Sequence, residues 1–432
     1  MKITKNMKIF NESKGITLIA LVIIIIILLI LAGITIGALA GDNGLIKRAQ
    51  DAKNNTLDVQ NLENATFGDL ENLIDSSTGT ANGGNGGNGG GSGNQGQAIT
   101  GVTTTVTNPA AAIPTGGTII QGDATKGIVM QDSNKNEWVW VEVPKTIYTN
   151  SEYLTDATTP TSNTDYTNIE KIMQNYASDY RDSDYSDIWY SEAQHGFASA
   201  EAYNTAKNNM LKSVYDNGGF WIGRYEAGNA NATKNNTTIA SDRDDAYIAA
   251  NPAVIKADQI PYNYVTCKRA QTLSKNLATG GKTSSLMFGI QWDLTCRFLK
   301  EKTDLTLADI KTDSKSWGNY NNATINLAKG KYNTNPGSSS SIWTAVTAGA
   351  KNGQMLLTTG ASEDTNKMNI YDFAGNEWEW TLEQYTISSS YPCAVRGGYY
   401  HCHGSYGPAS SHDSNSTSGS NYGGIGFRPA LY

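Results

Sequence analysis

The sequence predicts an α+β domain, residues 117–432, carried outward by an N-terminal transmembrane α-helix and a flexible tether. Three observations predict it. Residues 16–40 carry no charge and are almost wholly apolar. Residues 80–97 are nearly all Gly, Asn, Ser and Gln. Beyond 117, short stretches with a strand period alternate with longer ones with a helix period. Composition agrees: 17% charged residues, 23 Tyr and 9 Trp, with 44 Gly and 10 Pro, suit a loop-rich extracellular domain better than a cytosolic enzyme. A net charge of -7 and the lack of any basic block exclude nucleic acid held through its phosphates.

The apolar run comes first. As a helix its 25 residues reach ~37 Å, enough for a hydrocarbon core of roughly 30 Å. A secretory signal would have a shorter apolar region ending at a small-residue cleavage site. Here the run passes into Gly41-Asp42-Asn43-Gly44 and then a polar helical stretch. Leu45, Ile46, Ala49 and Ala52 recur at helical spacing, so residues 16–78 read as a membrane helix prolonged into a stalk. Asn residues and Gly68 weaken its far end. Residues 79–116 form the tether, with nine Gly between Gly83 and Gly96; such a coil of 18 residues has ends about 20–25 Å apart. Lys2, Lys5, Lys8 and Lys14 against Glu12 bias the N-terminus inward.

Ser13-Lys14-Gly15 followed by Ile16-Thr17-Leu18-Ile19 resembles the type IV prepilin signal. The resemblance spans residues 1–76. It implies a leader, residues 1–15, cut by a prepilin peptidase between Gly15 and Ile16, and a helix that stays in the membrane. Ala20 stands where assembled pilins carry Glu, so anchoring is implied more firmly than fibre assembly. The location implied is the outer face of a bacterial, or bacteriophage-encoded, cell surface.

In the C-terminal domain, Asn136 to Pro144 alternates like a half-buried strand and Phe220 to Ala227 reads as another. Helices are predicted around 169–177, 198–214, 264–277 and 285–299, and residues 304–367 read as an irregular insertion. Trp378 and Trp380 sit two apart, share a strand face, and read as core. Arg428 reads as a buried ion-pair member with Glu379 its natural partner. Cys267, Cys296, Cys393 and Cys402 lack metal-type CxxC spacing and permit three full disulfide pairings, or none.

Taken in order, Gly219 to Glu226, Ile260-Pro261-Tyr262, Asn369 to Thr381 (NIYDFAGNEWEWT), Arg396-Gly397-Gly398-Tyr399 and Gly426-Phe427-Arg428 resemble the motifs of the formylglycine-generating-enzyme branch of the C-type lectin fold. The resemblance covers about 120–432. It implies that fold, and it implies calcium held at Gly375, Asn376 and Glu379, oxygen ligands suited to a hard cation; no cofactor is required. The family's enzymes use two cysteines five positions apart after Arg-Gly-Gly as soft copper ligands. Cys402 occupies the first position and Gly407 the second, so the chain is expected not to be an enzyme. It also has no GxSxG, HExxH or P-loop.

Between Gly397 and Arg428 there is no Lys, Glu, Gln, Met or Trp. The residues present are those encoded by NNC codons, the outcome of randomising the adenines of AAC. This segment, closed by Gly426-Phe427-Arg428-Pro429-Ala430-Leu431, resembles the variable region (here 397–425) of diversity-generating retroelement target proteins. It implies a surface-displayed ligand-binding protein whose binding residues are Tyr400, His401, Cys402, His403, Tyr406, Ser411, His412, Asp413, Ser414, Asn415, Ser418, Ser420, Asn421 and Tyr422. Their side chains are expected to be exposed together, with Phe427 buried as scaffold. Tyr among Ser, Asn, His and Asp is a recognition composition. A formylglycine-generating oxidoreductase and a minor pilin subunit are the alternatives. The ligand, a protein or another surface component, is not written in the sequence.

Overall fold

The computed structural model describes residues 96–101, 109–149, 160, 162–232, 244–336, 342–418 and 423–432. The leader, the Gly15–Ile16 junction, the 16–40 run and the stalk lie outside the described residues, as do Ser420, Asn421 and Tyr422. Among the described residues no helix is long and apolar enough to cross a membrane. The chain divides into two units, Met1–Gly91 and Ser92–Tyr432, and every described residue belongs to the second.

That second unit mixes helix and sheet, with seven α-helices and five sheets among the described residues. The six-stranded sheet runs in the order Thr118–Gln121, Val129–Gln131, Glu137–Glu142, Gly219–Gly223, Pro429–Leu431, Ser284–Leu286, with every pair antiparallel. The last strand of the chain therefore closes the sheet between two strands that precede it by far. The strand expected at 136–144 is found at Glu137–Glu142, but it is not half-buried: Trp138, Val139, Trp140 and Val141 are all buried. It is an interior strand, so both faces are covered and an apolar residue at every position is satisfied. Trp140 meets Trp221 edge-on at 5.1 Å.

The helices start where the side chains allow. Ser162 and Asp165 form a reciprocal capping box for Asn163–Tyr176, and Ser199 caps Ala200–Asn217, which Gly218 ends at φ 73. The helix expected at 285–299 begins later, at Gly289–Lys302, because Ser284–Leu286 is used as the outer strand of the sheet. Asp187, from a distant segment, caps it: its two carboxylate oxygens accept from Gly289 N at 2.7 Å and Ile290 N at 2.9 Å. The domain also begins before 117. Gln97 N donates to Ile119 O, and Trp221 Nε1 donates to Ala112 O at 2.9 Å; the apolar residues of the short turn Pro109–Ala112 make it part of the core rather than of the tether.

A second sheet carries the C-terminal half. Its order is His412–Asn415, Cys393–Arg396, Trp378–Tyr385, Ile425–Phe427, antiparallel except for the last pair, and Tyr185–Ser186 joins the far end of Trp378–Tyr385. Trp378 and Trp380 are both buried, as their spacing predicts.

His195 illustrates the core's polarity. Its ring is wholly buried, 5.0 Å from Tyr203, and burial lowers its pKa to about 3. The unfolded chain takes up a proton near pH 6.5 that the folded chain refuses, so this group's stability is present above pH 6.5 and is lost as pH falls toward 3. Relative to His195→Phe, the wild-type chain is expected to lose about 2 kcal/mol between pH 7 and pH 5. Denaturant titrations at the two pH values measure it; parallel behaviour of the two chains would mean that His195 is not held neutral.

Candidate functional site

The segment 397–427 is bracketed by two arginines with no exposed surface, Arg396 and Arg428. Arg428 grips Glu379 through Nη2 at 2.8 Å and Nε at 3.2 Å, and donates to the carbonyls of Gly223 and Tyr371 at 2.9 Å each. This is the pair expected from sequence. Arg396 does the same at the other end, donating to Asp293 at 2.8 Å and to both oxygens of Glu383 at 3.0 and 3.2 Å. Burial pulls the Arg396 guanidinium down, but the charges of Glu383 and Asp293 outweigh it and hold its pKa above the ordinary value. Burial pushes Glu383 up; Arg396 and His412 prevail and keep it well below the carboxylate range. Glu379 and Glu383 lie on one strand, Trp378–Tyr385, so both ends of the segment are tied to the same element.

Between these ties the backbone is held by residues outside the segment. Tyr320 donates from its hydroxyl to Gly397 O at 2.9 Å. Asn321 donates from Nδ2 to His401 O at 2.8 Å and from its backbone to Cys402 O at 3.0 Å. Gly404 N donates to Asn322 Oδ1 at 3.1 Å, and Gly404 O accepts from Ser314 N. Ala409 N donates to Ser314 Oγ and Ala409 O accepts from Trp292 Nε1, both at 2.9 Å. Arg396 closes the row on the carbonyls of Ser410 and Ser411. The insertion 304–367, read from sequence as irregular, thus supplies the cradle. The one sequence signal was the polar run at Asn319 to Asn322, whose amides can bond a neighbouring backbone.

The candidate side chains divide. His401, His403 and Tyr406 are exposed, Tyr406 to 75%, and His401 stacks on Tyr399. Asp413 and Ser418 are exposed, while Ser411, Ser414 and Asn415 are half-buried along or beside the strand His412–Asn415. Three expectations of exposure are corrected. Tyr400 is buried against Ile260, Trp343 and Leu356. Cys402 is buried with its Sγ turned to Gly407, and burial raises its thiol pKa. The His412 imidazole is 5% exposed, stacked 4.4 Å from Tyr185 and 3.2 Å from a Glu383 oxygen. Burial lowers the His412 pKa, with the Arg396 charge acting the same way. A turn that folds back on the core must point some of its side chains inward, and spacing alone does not say which.

The calcium expected at Gly375, Asn376 and Glu379 does not fit. Asn376 Oδ1 accepts from Asn319 Nδ2 and Leu357 N, both at 2.9 Å, and both Glu379 oxygens are engaged by Arg428. No oxygen of either side chain is left facing a cation with its protein donors in place. Chelator is therefore expected to leave the melting temperature unchanged, as differential scanning fluorimetry would read; a fall of several degrees would restore a structural ion. Gly407, at the second position of the two-cysteine motif, lies beside Cys402: a Cβ placed on it would be 3.1 Å from Cys402 Sγ.

Sequence reading did not find a cleft of about 530 Å³ at the far end of the segment, where Thr417 and Ser418 face Lys268, Arg269, Glu192 and Asp245. Its walls come from four separate stretches of chain, so no motif marks it. No protein-family model and no curated protein matches the chain, and the site stands on its own geometry.

Proposed function

We propose that the chain is a surface-displayed binding protein, not an enzyme, whose C-terminal segment is diversified by a retroelement on a formylglycine-generating-enzyme-type C-type lectin fold. On this reading residues 16–40 anchor it, processed at Gly15–Ile16 by a prepilin peptidase, and the ligand is a protein or other surface component. The observation that carries it is the division of labour at 397–411. Partners outside the segment hold its backbone, while His401, His403 and Tyr406 face solvent. Side chains can then change without loss of the loop's path.

Two tests follow. At the locus, a template copy of the segment is expected to differ from the gene only where the template has adenine; differences spread over all four bases would end the reading. In the protein, randomising His401, His403, Ser405, Tyr406 and Asp413 together is expected to leave melting temperatures of most clones within about 2 °C of wild type, since surface substitutions stay within about 0.5 kcal/mol each. A library in which most clones unfold would show that these positions are structural.

A further inference from the structure

Two Asn–Gly steps fall among the described residues, Asn217–Gly218 and Asn352–Gly353, and sequence treats them alike. The structure separates them. Asn217 ends the helix Ala200–Asn217, where its Nδ2 donates to Ser213 Oγ at 3.1 Å. Gly218 is buried; its nitrogen donates to Val214 O at 2.8 Å and its carbonyl accepts from Val143 N at 2.9 Å. Asn352 ends the strand Gly349–Asn352, which pairs antiparallel with Thr324–Leu327. It is exposed, and its side chain has no hydrogen-bond partner among the described residues. Gly353 follows at φ 98, where a Cβ would meet nothing within 4 Å. Its nitrogen donates to no backbone carbonyl among the described residues.

We propose that Asn352 is a site of spontaneous deamidation, and that its isoaspartyl product loosens the stretch Tyr320 to Asn322 that holds the backbone of 397–404. The reaction needs a Gly nitrogen free to give up its proton and a backbone free to turn that nitrogen onto the side-chain carbonyl carbon. Asn352–Gly353 has both. At Asn217 the same attack must first break the Gly218 bond to Val214 and unwind the last helical turn.

In the first step the Gly353 nitrogen, its proton taken by hydroxide, attacks Asn352 Cγ. The bond from Cγ to the side-chain amide nitrogen breaks, ammonia leaves, and a five-membered imide closes. Water then adds to one of the two ring carbonyls. One opening gives Asp. The other gives isoaspartate, in which the main chain runs through Cβ and Cγ and so gains a methylene. One water enters and one ammonia departs; nothing is oxidised or reduced. The lengthened link lies between two ties to a single stretch. On one side Asn352 is the register partner of Thr324, two residues beyond Asn322, whose Oδ1 accepts from Gly404 N at 3.1 Å. On the other, Met355 O accepts from Asn319 Nδ2 at 2.8 Å. A backbone atom added between these ties displaces one of them, and both lead to Tyr320 and Asn321, the donors to Gly397, His401 and Cys402 carbonyls.

The test incubates the full chain in detergent at mildly alkaline pH, once folded and once in urea, and follows both Asn–Gly steps by peptide mass spectrometry. In urea the two are expected to deamidate alike. In the folded chain Asn352 is expected to keep most of its urea rate, while Asn217 slows by about tenfold or more, equivalent to about 1.4 kcal/mol of added barrier. Equal rates at the two steps in the folded chain, or suppression of Asn352 as deep as that of Asn217, would overturn the site. The cradle is read by hydrogen exchange of the 401–406 segment. Deamidated chain, separated by ion exchange, is expected to exchange there about tenfold faster than the unmodified chain. Treatment with an isoaspartyl methyltransferase, which returns the main chain to its normal length as Asp, is expected to restore slow exchange. Asn352→Asp, which has the charge without the methylene, is expected to exchange like wild type. Unchanged exchange in the deamidated chain, or fast exchange in Asn352→Asp, would refute loosening by the lengthened backbone.

Discussion

Replacing Arg396 by alanine is expected to lower stability by about 3–5 kcal/mol. The guanidinium is wholly buried and neutralises two carboxylates, Asp293 and Glu383, that are themselves 1% and 4% exposed. Without it the one cation left to Asp293 among the described residues is Arg181, 3.4 Å away at the edge of the site, Glu383 keeps the His412 ring, and the Ser410 and Ser411 carbonyls lose their donors. A urea titration of the full chain in detergent reads the loss. Arg396→Met keeps much of the volume but not the charge, and is expected to lose nearly as much. Adding Glu383→Gln and Asp293→Asn to Arg396→Met is expected to recover part of it. If Arg396→Met alone were as stable as wild type, packing rather than charge would be the cause.

Phe427→Ala is expected to cost a similar amount, about 3–5 kcal/mol. The ring is wholly buried, 5.9 Å from Tyr262, on a strand that pairs in parallel with Trp378–Trp380. Its carbonyl also accepts from Ala227 N, tying this strand to the stretch between Gly219–Gly223 and Gly228–Asn229. Phe427→Leu, which leaves a smaller void, is expected to lose less than about 1.5 kcal/mol. A loss below about 1 kcal/mol for the alanine variant would place Phe427 outside the scaffold. The contrast with Tyr406, which is 75% exposed, is the physical distinction between frame and face.

Much of this frame was legible. Regular strands and helices declare themselves by period, which is why Glu137–Glu142, Ala200–Asn217 and Cys267–Lys275 fall where the pattern puts them. Glu379 with Arg428 was legible because a charged residue inside an aromatic strand motif has to be neutralised nearby. The matching role of Arg396 was not. Its partner Asp293 lies on a helix 103 residues earlier, a contact that no local pattern encodes. The loop was less legible still. Tyr400 and Tyr406 have the same chemistry, yet one packs on Trp343 and the other stands in solvent; only the path of the turn decides between them. The cradle at 314–322 was hidden because it acts through amides, hydroxyls and the backbone, which composition reports only as polarity.

That cradle bears on how weak a first encounter can be and still register. A slack loop must be ordered by its ligand, at ~1–2 kcal/mol per residue of backbone. With the path of 397–411 already fixed, a ligand at His401, His403 and Tyr406 has only side-chain rotamers to restrain, at ~0.5–1.5 kcal/mol each. Over a tip the size of 401–406 the difference is ~6 kcal/mol or more, against a total near 8 kcal/mol for micromolar binding. On the proposed reading, a surface whose chemistry is drawn at random begins with few good contacts. On a rigid path those few would suffice for a measurable affinity, so each new draw would be judged on its side chains alone.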